Sequence, residues 1–83
     1  MTYQLTQQDV QAVLESYNVS NYGIQHIMVI MDDDAIAKAC QESEDETQQM
    51  EIAYDEIAKQ LYQQNYITKE QVQEFGNVAI LNI

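Results

Sequence analysis

Histidine and cysteine, the side chains that most readily act as a general base and a nucleophile near neutral pH, occur once each, as His26 and Cys40. His26 lies in the most apolar stretch, residues 24–31, where a lone histidine is more typical of a core or boundary position than of a catalyst. Cys40 has one basic neighbour, Lys38, and many nearby carboxylates, which disfavour a reactive thiolate. Glycine-rich phosphate loops, GxSxG and HExxH motifs do not occur. The sequence therefore predicts a buried, inert thiol, no catalytic residues and no cofactor, so we expect a protein that is not an enzyme.

Carboxylates at suitable spacing could instead hold a metal ion. An EF-hand loop needs acidic ligands at its first positions, a central glycine and a closing glutamate. In the nearest match the ligand positions hold Gln60, Tyr62, Gln64 and Gln71, and none of these is a carboxylate. The run 32–34 has three aspartates but no glycine turn after it. We therefore predict no dedicated metal site and rank a calcium-responsive protein last among the functions considered.

The acidic residues carry the strongest signal. Fourteen acids face three lysines and no arginine, which leaves a formal net charge of −11 on 83 residues. Like-charged i,i+4 pairs each cost a helix about 0.2–0.5 kcal/mol, and a chain free to optimise stability would mix in more lysine. These pairs are Glu42/Glu46, Glu51/Asp55 and Glu70/Glu74. The retained repulsion suggests that the charge is used, although acids that only keep the protein in solution are an equally weighted alternative.

The charge also limits the partners. Nucleic acids and anionic membranes bind through cations that displace counterions, so we expect no direct nucleic-acid and no membrane contact. The longest apolar run, 27–31, is too short to span a bilayer. The N-terminal residues MTYQLTQQDV have neither a basic nor an apolar signal region, and a lone cysteine suits a reducing compartment, so we expect a cytoplasmic protein. The expected partner is a basic protein, and no sequence feature sets an oligomeric state.

The elements that must position these acids are predicted to be helices. There is no proline and there are two glycines, which is too few turn residues for most sheet folds. We predict one mainly α domain over residues 1–83, a small bundle of four to five helices, with a short strand as the alternative near 24–31 or 77–83. The predicted helices span 7–17, 24–31, 33–40, about 43–66 and 69–75.

Capping patterns support three of these helices. Thr6 with Asp9, Ser43 with Glu46 and Thr68 with Gln71 have the spacing of capping boxes or near-boxes. Asn18 and Gly76 are the predicted stops of the first and last helices. Apolar residues at helical spacing then predict the core. The predicted core residues are Val10, Val13, Leu14, Ile27, Met50, Tyr54, Ile57, Leu61, Val72 and Phe75.

A size comparison connects the acids to a function. A compact domain of this length has a diameter of roughly 30 Å, and duplex DNA of that length carries about 18 charges. In size, acidity and lack of catalytic residues the chain resembles small phage-encoded inhibitors of bacterial defence, including anti-restriction and anti-CRISPR proteins. That resemblance, one of composition, implies an inhibitor that occupies the basic groove of a nucleic-acid-binding protein, in the bacterial host cytoplasm if the chain is phage-encoded.

We therefore predict a partner-binding surface of carboxylates, called here the acidic surface. Its residues are Asp32, Asp33, Asp34, Glu44, Asp45, Glu51 and Asp55. The alternative is a small accessory or assembly protein that binds through an apolar, tyrosine-containing surface while the acids only solvate it. Tyr62 and Tyr66, which share a helix face, are the candidates for that surface, since tyrosine is enriched at interface hot spots.

Overall fold

Five α-helices and one 3-10 helix make up the fold. The computed structural model describes residues 3–82. The helices are α1 (Gln7–Ser16), α2 (Ile24–Ile30), α3 (Asp33–Cys40), α4 (Glu46–Gln63), α5 (Lys69–Phe75) and the 3-10 helix (Val78–Asn82). The described residues contain no strand, so the helical interpretation of 24–31 is confirmed and the strand alternatives are wrong there and at 77–82. The last residue of the 77–83 segment lies outside the described residues.

Local side-chain hydrogen bonds begin most of the helices. The Thr6 hydroxyl accepts from the Asp9 amide at the start of α1. At α5 the full reciprocal box is present, because Thr68 accepts from the Gln71 amide and the Gln71 side chain accepts from the Thr68 amide. Both predicted caps are confirmed, because they depend only on residues three apart along the chain.

The predicted start of α4 at Ser43 is wrong. Asp45 is the N-cap, and its carboxylate accepts from the Thr47 amide at 2.8 Å. The Ser43 hydroxyl instead accepts from the Asp45 amide and donates to Gln48, so it shapes the turn that precedes the helix. Aspartate and serine are comparably good N-caps, and the sequence offers both within one turn. The tertiary path of the 41–45 connection selects the second.

Residues in left-handed backbone conformation end three helices. Asn18 follows α1 with φ 62° and Asn65 follows α4 with φ 67°. Gly76 ends α5 with φ 97°, a conformation that glycine adopts without steric cost. The predicted stops at Asn18 and Gly76 are confirmed, and Asn65 moves the end of α4 to Gln63.

One continuous apolar core lies between the helices. Seven of its members were predicted: Val10, Val13, Leu14, Ile27, Ile57, Leu61 and Val72 are buried. The core prediction did not include the buried residues Tyr17, Met31, Ile36, Ala53, Ala58, Ile67 and Ile80, whereas the burial of Cys40 was expected. Helix α4 is the central element, since α3, α1 and the 3-10 helix all pack against it. The Cα radius of gyration is 12.1 Å and the extents are 32 × 27 × 19 Å, in agreement with the size expected from the chain length.

Three predicted core residues are largely exposed. Met50, Tyr54 and Phe75 keep 40%, 36% and 52% of their surface in contact with solvent. Met50 and Tyr54 lie on the same side of α4 as Ile57, but they occupy its N-terminal half, where less of the surface is covered. Phe75 instead stacks its ring on the ring of Tyr17, with centroids 4.3 Å apart.

Candidate acidic interface

The helices α3 and α4 carry the acidic surface and run antiparallel to each other. Asp32, at the start of α3, contacts Gln60 near the end of α4. At the other end of α3 the Cys40 thiol donates to the Gln49 carbonyl oxygen of α4 at 3.4 Å. This hairpin presents all seven residues of the acidic surface to solvent, as predicted from their polarity.

The acidic surface is divided into two groups rather than gathered in one cluster. Asp32, Asp33 and Asp34 lie at the start of α3, whereas Glu44 and Asp45 follow its end. Six helical residues, 35–40, lie between the groups and correspond to about 9 Å of rise, and the turn residues 41–43 follow them. Glu51 and Asp55 continue the second group along α4, and the charge of Glu51 acts on the Asp55 carboxyl group.

Three of the seven predicted residues have structural contacts of their own. Asp32 is the N-cap of α3, and its carboxylate accepts from the Ala35 amide at 3.1 Å. Asp45 is the N-cap of α4. The Asp55 carboxylate accepts from the Asn77 side-chain amide at 3.0 Å, which ties α4 to the start of the 3-10 helix. Charge reversal at these positions would therefore remove a structural contact as well as a charge.

The remaining four carboxylates are available to a partner. Asp33, Asp34, Glu44 and Glu51 are exposed, and within residues 3–82 their carboxylates make no hydrogen bond. Gln60 of α4 makes two hydrogen bonds to the backbone just before α3. Its side-chain oxygen accepts from the Asp32 amide at 2.9 Å, and its side-chain nitrogen donates to the Asp32 carbonyl oxygen at 3.2 Å. That two-point contact fixes the turn from which Asp33 and Asp34 project.

Asp55 is the acid whose protonation is most clearly affected by the fold. Burial raises the pKa of its carboxyl group, the charge of Glu51 raises it further, and the hydrogen bond from Asn77 opposes both. The same Asn77 amide also donates to the Tyr17 hydroxyl at 3.3 Å. Asn77 therefore connects α1, α4 and the segment before the 3-10 helix at one point.

The sequence did not predict that two tyrosines, Tyr3 and Tyr54, lie near the carboxylate of Asp9. The Tyr3 hydroxyl donates to the carboxylate of Asp9, and burial together with that carboxylate raises the pKa of Tyr3. Burial, followed by the charge of Asp9, also raises the pKa of Tyr54. The partly exposed Tyr54 of α4 therefore lies near the Asp9 carboxylate of α1 and outside the buried core. No sequence signal pairs these residues, since they come from three separate segments.

A stripe on α4 outside the core was also missed. Ile52, Asp55, Glu56 and Lys59 follow at i, i+3, i+4 and i+7, the spacing of one helix face. Together with the end of α3 and the 3-10 helix, this stripe lines a surface groove of ≈ 370 Å³, called here the α4 groove. The spacing is visible in the sequence, but its mixed polarity gives no reason to expect a groove there.

Of the two residues considered for catalysis, Cys40 lies where the sequence predicted and His26 does not. Cys40 is buried, and burial with the nearby charge of Glu56 raises the pKa of its thiol, as expected of an inert cysteine. His26 is exposed on α2, so its predicted core or boundary position is wrong. Helix α2 buries Ile27 and turns the opposite side, with Val29 82% exposed, to solvent. Across residues 3–82, potential metal ligands do not gather in groups of three or more.

The tyrosines of the alternative surface are half-buried. Tyr62 and Tyr66 pack against the core with part of each ring accessible. More exposed apolar side chains lie elsewhere, and two of them, Phe75 and Val78 at 52% and 55%, are neighbours at the junction of α5 and the 3-10 helix. In the described part of the chain, none of the helices is both long and apolar enough to cross a membrane.

Comparisons with known proteins do not assign the chain to a family. No protein-family model matches the sequence, and neither a curated protein nor a solved structure resembles it significantly.

Proposed function

We propose that this protein is an acidic binding protein and inhibitor that mimics nucleic acid and occupies the basic groove of a nucleic-acid-binding protein. The observation that carries the proposal is the exposure of the acidic surface along one helical hairpin, α3 with α4, in a chain of net charge −11. No carboxylate of the described residues is buried, so the negative charge lies at the surface of the molecule.

The dimensions of the hairpin suit such a role. Helix α4 has 18 residues and is therefore about 27 Å long. The longest molecular extent is 32 Å, over which duplex DNA carries about 19 charges. Fourteen carboxylates on this body give a charge of the same order. Arginine and lysine grip carboxylates with the same donors that they use for phosphates, so one basic groove can bind either.

The experiment that tests this function separates charge from fold. The tagged protein is used to capture partners from bacterial lysate at low salt, and the captured protein is then challenged with a short DNA duplex. We expect a basic partner that is released by raised salt and by the duplex. Paired reversals that avoid the helix caps, Asp33→Lys with Asp34→Lys and Glu44→Lys with Glu51→Lys, should slow association and lose their effect at high salt.

A matched control carries the same change of charge elsewhere. Glu15→Lys with Glu70→Lys alters two exposed acids that lie outside the acidic surface, and it should slow association much less. If all three pairs act equally, or if the reversed variants bind as tightly as the parent at low salt, the protein does not use this surface as a nucleic-acid mimic.

The second candidate function, an accessory protein with an apolar interface, is favoured by the exposed Phe75 and Val78. It predicts binding that resists salt and is lost in Phe75→Ala, Tyr62→Ala or Tyr66→Ala, while the acid reversals have little effect. The same capture experiment therefore distinguishes the two candidates.

A further inference from the structure

The α4 groove combines an apolar floor with a charged rim. It lies between the end of α3, the stripe of α4 and the 3-10 helix. Its apolar surface comes from Ala39, Ile52 and Ile80, of which Ile80 belongs to the buried core. A floor of this kind removes water from one side of any group that settles on it, which strengthens the electrostatic contacts made there.

Three carboxylates stand around that floor. Glu42 comes from the turn after α3, and Asp55 and Glu56 come from α4. Asp55 uses its Oδ1 for the hydrogen bond from Asn77, and within residues 3–82 its Oδ2 has no such partner. Lys59 is the single cation of the lining, three residues after Glu56 and four after Asp55, so the groove keeps a net negative charge.

We propose that the α4 groove binds an arginine side chain presented by a basic partner protein. This inference rests on the proposed function in so far as the partner is basic, and it names one contact within that interface. Arginine fits because its aliphatic stem packs on apolar surface while its planar guanidinium donates several hydrogen bonds to carboxylates. Lysine has the stem but a more strongly hydrated head, which loses more by entering a partly apolar groove.

The position of Lys59 sets the orientation of the bound side chain. An arriving guanidinium is repelled by Lys59, which lies about one turn of α4 beyond Asp55 and Glu56, and is attracted by Glu42, which comes from the turn after α3. The stem then lies along Ile52. The positive charge of the guanidinium also offsets the repulsion between the carboxylates of Asp55 and Glu51.

The test uses the full chain and a small probe, N-acetyl-arginine amide, which carries the side chain without a carboxylate. Backbone amide NMR spectra are followed as the probe is added at low ionic strength. We expect shifts concentrated at Ile52, Glu56, Asn77 and Ala79, with weaker binding by N-acetyl-lysine amide and by methylguanidinium, which lacks the stem. Equal shifts across the whole acidic surface, or an equal affinity for methylguanidinium, would overturn the proposal.

Matched variants test the residues. Neutralising the rim with Glu42→Gln and Glu56→Gln should weaken probe binding by about fivefold or more, whereas Asp33→Asn with Asp34→Asn, the same change of charge outside the groove, should change it by less than about twofold. Lys59→Gln should tighten binding, and Lys69→Gln, a matched change on α5, should not. Circular dichroism of each variant confirms that the helices remain.

The arginine site and the nucleic-acid mimicry can fail independently of each other. If the groove binds the probe and no basic partner is captured, the nucleic-acid mimicry fails and the groove stands. If acid reversals on the surface disrupt a captured partner while the Glu42/Glu56 variant binds it and the probe normally, the groove proposal alone is wrong.

Discussion

At the scale of single residues, Asp55 and Asn77 concentrate several roles in one contact. The side-chain amide of Asn77 donates both to Asp55 of α4 and to Tyr17, which precedes Asn77 by 60 residues in the sequence. These two contacts hold the segment before the 3-10 helix in place. The carboxyl group of Asp55 is partly desolvated there and lies near Glu51, and both effects raise its pKa. The structural contact therefore has an electrostatic cost near neutral pH.

That cost predicts a pH dependence. A carboxyl group whose pKa is higher in the folded state than in the unfolded state contributes stability that is fully present below its unfolded pKa and is lost as the pH rises through its folded pKa. The melting temperature should therefore rise as the pH falls from 7 toward the carboxylate range. Asp55→Asn keeps an acceptor oxygen for Asn77 and removes the charge, so it should stabilise the protein at pH 7 and flatten this dependence.

Melting followed by circular dichroism between pH 7 and 4 measures both effects. Asp33→Asn is the matched control, since it removes one exposed charge without touching Asn77. A lower melting temperature of Asp55→Asn at pH 7, with an unchanged slope against pH, would show that the charged form of Asp55 is the stabilising one.

At the scale of elements, α4 presents two faces with different surroundings. One face, which includes Ala53, Ile57 and Leu61, is fully buried and supports α1 and α3. The other, from Ile52 to Lys59, lines the α4 groove. Because the first face is anchored in the core, the second is held rigidly, which lowers the entropy lost when a partner binds.

The depth of burial along α4 predicts unequal effects of truncation. Ile57 is fully buried, so Ile57→Ala should reduce the free energy of unfolding by about 2–5 kcal/mol. Met50 is 40% exposed, so Met50→Ala should cost well below that range. Urea denaturation of both variants measures the difference, and equal losses would mean that the N-terminal half of α4 is covered in solution.

At the scale of the whole molecule, self-repulsion is the dominant electrostatic effect. A formal charge of −11 on a body of 32 × 27 × 19 Å places many carboxylates within a Debye length of one another. Repulsion among the carboxylates therefore opposes folding. A positively charged partner that binds the folded protein would reduce this repulsion.

Screening should relieve this repulsion. We expect the melting temperature at pH 7 to rise as sodium chloride increases from about 10 to 300 mM, a range over which the Debye length falls severalfold. Glu70→Gln with Glu74→Gln, which removes one like-charged pair on α5, should raise the melting temperature at low salt and reduce its salt dependence. A melting temperature that is unchanged by salt in the parent would contradict the repulsion argument.

The sequence by itself determined the features that depend on neighbours along the chain. The capping box of Thr68 and Gln71, the stop at Asn18 and the full extent of α3 were all predicted, because each depends on residues within a few positions of one another. The exposure of the acidic surface also follows from residue type, since burying an unpaired carboxylate is too costly for a small fold.

Only the tertiary structure decided what depends on distant segments. The contact of Asp32 with Gln60 spans 28 residues, and it places the start of α3 beside the end of α4. Met50 has the right position on the helix for burial, yet its exposure depends on how far other helices extend over α4. The α4 groove likewise exists because α3 and the 3-10 helix meet α4 on either side of a mixed stripe. Periodicity gives the direction of a side chain, whereas the packing of elements far apart in sequence decides what covers it.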